Sequence, residues 1–161
     1  VSGSKLQAEL RQIRPFRSRA QEATLALLRT CDFLMHRQTE IIAPFAISGE
    51  QYNVLRILRG AGAEGLPTLE VADRLVVRNP AITRLLDKLE AKRLVVRRRC
   101  KQDRRRVYCH ITPAGLALLA ELDAPIDRVT EATMAGVTKS DVITLIRILD
   151  QIRASAQNTT N

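Results

Sequence analysis

The sequence predicts a mainly α fold with a small β-hairpin wing: a winged helix-turn-helix flanked by long N- and C-terminal dimerisation helices. Three observations predict it. Apolar residues recur at helical spacing through most of the chain, and a capping residue or proline marks most restarts. Two β-prone runs, Leu94-Val95-Val96 and Val107–Ile111, enclose a strongly basic segment. Aromatics make up 3% of the 161 residues and Trp is absent, so the core must be Leu, Ile, Val and Ala, which suits packed helices.

Taken in order, the chain opens with a short helix over about 4–14, ended near Pro15. A longer helix follows over about 17–43. Leu28, Met35 and Ile42 recur at seven, Leu27, Cys31, Leu34 and Ile41 line the adjoining face, and Pro44 stops it. So broad a stripe on so long a helix needs a cover, and a second subunit is the simplest candidate. Ser48-Gly49-Glu50-Gln51 reads as a capping box with Ser48 at N-cap and Gln51 at N3. Val54, Leu55, Ile57 and Leu58 carry that helix to Gly60.

Pro67 suits a first helical position, and Leu69, Val71, Ala72 and Leu75 give a short helix over about 67–75. Asn79-Pro80, cap then proline, starts a helix over about 80–92. Its Ile82, Leu85, Leu86 and Leu89 must face the core, which turns Pro80, Arg84, Asp87 and Lys88 outward, flanked by Thr83. Two helices joined by a tight turn, then a hairpin with its tip at Cys100 to Arg104, make the winged helix-turn-helix. Thr112-Pro113 repeats the cap-and-proline start for a helix to about 135, with a kink or break expected at Pro125. Thr138-Lys139-Ser140-Asp141 caps a last helix striped by Val142, Leu145, Ile146, Leu149 and Ile152. These elements divide the chain into N-terminal helices over 1–47, the winged helix-turn-helix over 48–112 and C-terminal helices over 113–161.

Charge is concentrated in one place. Nine of the fifteen residues from Lys92 to Arg106 are Lys or Arg and one is acidic, a local +8 against +9 for the whole chain. Such a cluster releases counterions when it meets a polyphosphate, so nucleic acid is the first partner to consider. The same charge would also suit a basic loop or a localisation signal. No aromatic interrupts it, which disfavours single-strand and RNA-sheet binding and favours double-stranded DNA. No apolar run approaches a membrane span and Val1 to Arg19 has no apolar centre, so a cytoplasmic protein without a membrane partner is expected. Three widely spaced cysteines, Cys31, Cys100 and Cys109, are no disulfide framework. Two histidines, His36 and His110, are too scattered to mark a metal site, and no nucleophile–base pair or phosphate loop points to an enzyme or a cofactor.

The run from Leu66 to Gly115 resembles the MarR family of bacterial winged-helix transcription regulators. Leu75, Ile82-Thr83-Arg84-Leu85-Leu86-Asp87-Lys88-Leu89-Glu90, Leu94-Val95, Arg97, Asp103-Arg104-Arg105 and Ile111-Thr112-Pro113-Ala114-Gly115 carry the resemblance. It implies a homodimer on a pseudo-palindromic duplex, with 1–47 an N-terminal dimerisation helix region, 48–112 the DNA-binding domain and 113–161 C-terminal dimerisation helices; each recognition helix enters a major groove and each wing reaches the adjacent minor groove, and members often respond to a small aromatic or anionic effector or to an oxidant. Two departures stand out: Arg93 occupies the place before the first wing strand where the family usually has Gly, and Val76 one where a small residue is common.

On that pattern Arg105 enters the minor groove and Asp103 holds the wing tip, while Arg97, Arg104 and Arg106 join the basic surface. In the recognition helix Thr83, Arg84 and Lys88 face bases or phosphates, although Arg84 has the second option of pairing with Asp87. Arg78 and Asn79 lie at the helix start, where backbone N–H groups favour phosphate and where Asn79 also serves as a cap. Phe33, His36 and Tyr52 are the candidates for an effector crevice, with core packing or plain exposure as the alternative. The reading is a homodimeric, sequence-specific DNA-binding regulator, a repressor released by a small molecule. The alternatives are a weakly specific architectural binder and a cysteine-based redox regulator. Cys100 lies among cations that favour its thiolate, whereas Cys31 lies on an apolar stripe that favours an inert, buried thiol.

Overall fold

The structure, a computed structural model, describes residues 4–100 and 106–158. Its elements are α1 (Lys5–Glu9), α2 (Arg19–Ile42), α3 (Gly49–Ala61), β1 (Leu66–Pro67), α4 (Thr68–Asp73), α5 (Ile82–Ala91), β2 (Val95–Arg99), β3 (Val107–Ile111), α6 (Pro113–Met134) and α7 (Lys139–Asn158). The mainly α fold with a small sheet between long terminal helices is the one the sequence predicts.

Local chemistry sets most boundaries. The Ser48 hydroxyl accepts the Gln51 N–H at 3.2 Å and the Gln51 side chain accepts the Ser48 N–H at 3.0 Å, so the expected capping box closes from both sides. Ser18 caps α2 through the Gln21 N–H at 3.1 Å, and the helix ends in a short 3-10 turn, Ala43–Phe45, containing Pro44. Helix α1 stops well short of Pro15, because Arg11 turns left-handed (φ 50°) and the Gln12 N–H bonds back to the Gln7 carbonyl at 3.0 Å. Helix α3 passes through Gly60 and ends at Ala61, capped by Gly62 at φ 65°.

Two expectations at the helix-turn-helix are corrected. Pro67 is not the first helical residue but the N-cap of α4, which begins at Thr68. It lies in β1, where Leu66 and Pro67 pair antiparallel with Cys109 and Tyr108, giving a three-stranded sheet in the order β1-β3-β2. β1 is an edge strand, where a residue without an N–H is tolerated. Gly65 permits the approach: it has φ 63°, and a Cβ there would stand 2.5 Å from the Cys109 carbonyl oxygen. Helix α5 starts at Ile82, later than Pro80. Asn79 caps only locally, its Oδ1 accepting the Ala81 N–H at 2.8 Å, so Pro80 and Ala81 form a turn before the first helical turn.

The end of α5 shows how the chain turns out of the helix without a glycine. Arg93 is left-handed, φ 59°. Its N–H bonds to the Glu90 carbonyl at 2.8 Å and the Leu94 N–H to the Leu89 carbonyl at 3.0 Å, the paired pattern of a Schellman cap. The start of α6 buckles over that turn: the Thr112 hydroxyl donates to the Arg93 carbonyl at 2.8 Å and the Thr112 N–H to the Leu94 carbonyl at 3.0 Å. Gly115 lets the backbones approach, since a Cβ there would lie 2.5 Å from the Leu94 carbonyl oxygen.

The core of the helix-turn-helix is Val54, Leu55 and Leu58 of α3, Val71 of α4, and Leu85, Leu86 and Leu89 of α5, closed by Val95 and Cys109 of the sheet. Of the kink or break expected at Pro125, the break does not occur: helix α6 runs through it. One lost backbone bond does not end a 22-residue helix with Ala- and Leu-rich flanks. The chain divides into two compact units, Val1–Leu122 and Asp123–Asn161. The second unit contains α7, capped by Thr138 through the Asp141 N–H at 3.2 Å. Among the described residues no helix is long and apolar enough to cross a membrane.

Candidate nucleic-acid interface

Burying Ile82, Leu85, Leu86 and Leu89 leaves a continuous outer face on α5 and the turn before it: Arg78, Pro80, Ala81, Thr83, Arg84, Asp87 and Lys88 are all exposed. The turn is pinned from behind. Asn53 of α3 accepts the Val76 N–H at 3.0 Å, and the Asn79 amide donates to Glu50 at 3.3 Å. Asn79 is therefore occupied on both ends of its side chain. Among the described residues no acid pairs with Arg84, and the alternative of an Arg84–Asp87 pair is not realised, because Asp87 is held by Arg97 at 2.6 Å. Lys88 faces an open cleft of about 480 Å³ that it lines with Ser48, Glu50, Gln51, Leu85, Ala91 and Lys92.

The hairpin separates its cations into two sets. Arg98 and Arg99 are exposed, and Arg106 lies over the Tyr108 ring, 5.8 Å from its centroid. Arg97 instead turns toward α5 and bonds Asp87 and Glu90. These hydrogen bonds, first from the Arg97 side chain and then from its backbone, hold the Glu90 carboxyl below the usual carboxylate range. The Cys100 N–H bonds the Arg106 carbonyl at 2.9 Å, which keeps the strands together at the start of the tip. Asp103, Arg104 and Arg105 lie outside the described residues. The acids Asp87 and Glu90 are the site residues that charge counting passes over.

The effector candidates differ in burial. Phe33 and His36 are exposed on α2, where the His36 imidazole lies 3.6 Å from Glu40. Tyr52 is buried in α3, with the Arg56 guanidinium 5.8 Å from its ring centroid. The cysteines are apart. Cys109 pairs across the sheet with Arg97, not Cys100, and burial raises its thiol pKa despite the Thr68 hydroxyl 3.6 Å away. Cys31, expected to be buried, is exposed, although Leu27, Leu34 and Ile41 of its stripe are half-buried.

The MarR family model matches residues 47–107, which span α3 to the start of β3. A MarR transcription factor from Planctomyces limnophilus is 40% identical, with 84% of this chain and 98% of that one covered and a TM-score of 0.65. MepR of S. aureus, solved in complex with DNA, is 23% identical, with 81% and 96% covered and a TM-score of 0.74. BpsR of Bordetella bronchiseptica, whose DNA binding is regulated by 6-hydroxynicotinic acid, is 21% identical, with 82% and 98% covered and a TM-score of 0.72.

Proposed function

The chain belongs to the MarR family of DNA-binding transcriptional regulators, and from that premise we propose that it acts as a homodimeric repressor of one pseudo-palindromic operator, released by a small aromatic or anionic molecule. The observation that carries the reading is the outer face of α5. It presents Thr83 and Arg84 with no competing acid on Arg84 among the described residues, beside a hairpin whose Arg98 and Arg99 are exposed. Arg84 reads a base edge, and Arg78, Lys88, Arg98, Arg99 and Arg106 meet phosphates. Asn79 acts through the turn it caps. Asp103, Arg104 and Arg105 complete the wing tip, with Arg105 in the minor groove.

Exposed Leu28, Phe33 and Met35 on α2, and Ile143, Leu145, Ile146, Ile148 and Ile152 on α7, support the second subunit. The effector is supported by the relative BpsR, and Phe33, His36 and Tyr52 are the side chains first tested for it. The decisive experiment selects a duplex in vitro with the full chain and footprints it. Two protected half-sites about one helical turn apart are expected, with binding at least ~10³-fold tighter than to random DNA. Equal affinity for both duplexes removes the reading. Arg84→Ala should cost about 1–3 kcal/mol on the selected duplex and little on the random one.

A further inference from the structure

Arg97 stands in the most basic stretch of the chain, yet its guanidinium is committed inward. Nη2 donates to Asp87 Oδ1 and to Glu90 Oε2 at 2.6 Å each, and Nε donates to Glu90 Oε2 at 2.9 Å. The Arg97 backbone N–H adds a bond to Glu90 Oε1 at 3.0 Å. Asp87 and Glu90 are three apart and so share one face of α5. The first wing strand is thereby fastened to the helix by charge-assisted bonds, which are shorter and stronger than neutral ones. The Arg97 side chain is 26% exposed, whereas its strand neighbours Arg98 and Arg99 are open to solvent.

Two consequences follow for a protein that must fit two grooves at once. These bonds tie β2 directly to α5, so a helix seated in one groove would carry the wing with it. Asp87 is also three residues from Arg84 on the helix surface. An unpaired Asp87 there would repel phosphate and draw Arg84 along the helix, away from a base edge.

We propose that Arg97 is a positioning residue: through Asp87 and Glu90 it fixes the wing on α5 and occupies the acid that would otherwise withdraw Arg84, and it does not itself contact DNA. This rests on α5 being the helix that enters the groove.

The test uses the full chain, the duplex selected by the wild-type protein, and a random duplex of equal length, over a range of salt concentrations. The variant Asp87→Asn with Glu90→Gln removes two negative charges beside the DNA. Charge alone predicts tighter binding to both duplexes. Positioning predicts binding to the selected duplex weaker by roughly tenfold, with random binding unchanged or tighter. Arg97→Gln, which also frees Asp87 to draw Arg84 away, should weaken selected binding by a larger factor and leave the salt slope unchanged. The triple variant should be no weaker than the worse of these, since all three remove one interaction. Thermal melts establish that each variant is folded. If the double variant is not, Asp87→Asn alone, at a half-exposed site, must shift binding in the same direction by a smaller factor. Tighter binding of the acid variants to the selected duplex overturns the proposal. So does a salt slope shallower by about 0.9 in Arg97→Gln, which marks one lost phosphate contact. A wild-type chain that prefers no duplex overturns the α5 reading itself, and that is seen before any variant is made.

Discussion

The helix-turn-helix and the terminal helices are built from the same apolar residue types and treat them in opposite ways. In α3 and α5 the stripes point inward: Val54, Leu55, Leu58, Leu86 and Leu89 have no exposed surface at all. In α7 the stripe is open, with Ile143, Leu145, Ile146, Ile148 and Ile152 between 37% and 69% exposed, and Leu28, Phe33 and Met35 of α2 are over half exposed. The first arrangement is closed within one chain. The second leaves apolar surface that water disfavours and a partner surface would cover. A mutation should therefore act on stability in one region and on assembly in the other.

The largest effect should come from breaking the closed region. Leu89→Ala, at a fully buried site on α5, should cost about 2–5 kcal/mol in urea unfolding, because the cavity adds to the lost burial. A loss below ~1 kcal/mol would mean that the domain is not packed as described. The converse substitution is Ile146→Glu, 55% exposed on α7. In a single chain it would be nearly neutral. If α7 is covered by a second copy, light scattering should show the mass of one chain, and operator affinity should fall ~100-fold or more as the half-sites lose their linkage. A dimer that survives Ile146→Glu and Leu145→Glu together would move the interface away from α7.

How much of this was legible in the sequence depends on how far each contact reaches. The Ser48–Gln51 box, the Thr112–Gly115 turn and the Thr138–Asp141 cap each close within three residues, so spacing alone identifies them. β1 did not show, because a two-residue strand has no periodicity and its partner Cys109 is far along the chain. Asn79-Pro80 was readable as a helix start, but its exact register was not, since Asn79 is also tied to Glu50 on another helix. The Arg97 clamp is an intermediate case. Charge counting grouped Arg97 with the other cations, yet strand alternation puts it on the same side as Val95, which is buried, and that parity was available. Cys31 misled for the opposite reason: Leu27, Leu34 and Ile41 of its stripe are half-buried, but Cys31 itself is left exposed.

A smaller effect sharpens the account of the closed region in the stabilising direction. Arg93 holds the left-handed position of the Schellman cap at φ 59°, a conformation that costs a residue with a Cβ about 1 kcal/mol more than glycine. Arg93→Gly should raise the melting temperature by roughly 2–4 °C for a chain of this size. The Thr112 hydroxyl that binds the Arg93 carbonyl should then matter less, so Thr112→Ala should cost less in the glycine background than in the wild type. Equal costs would mean that the buckle and the strained turn are energetically independent.

The smallest effect is a pH dependence, and it separates the two regions by their ion pairs. Arg97 lowers the Glu90 pKa in the folded chain below its ordinary value. A depressed carboxyl contributes stability that is fully present above the unfolded value and is lost as pH falls through the folded one. Glu90→Gln should therefore lower the melting temperature at neutral pH. The gap to wild type should narrow once pH drops below the ordinary glutamate range, and close when Glu90 of the wild type is itself protonated. The terminal region supplies the contrast: Arg37 and Glu40 of α2 form a pair at 3.2 Å with both side chains half exposed. Such a pair is worth about 0.3–0.5 kcal/mol, so Glu40→Gln should hardly shift the melt at any pH. A pH-dependent gap of the same size in both variants would show that the clamp at Arg97 is no tighter than a surface ion pair, and the rigidity assigned to the helix–wing junction would go with it.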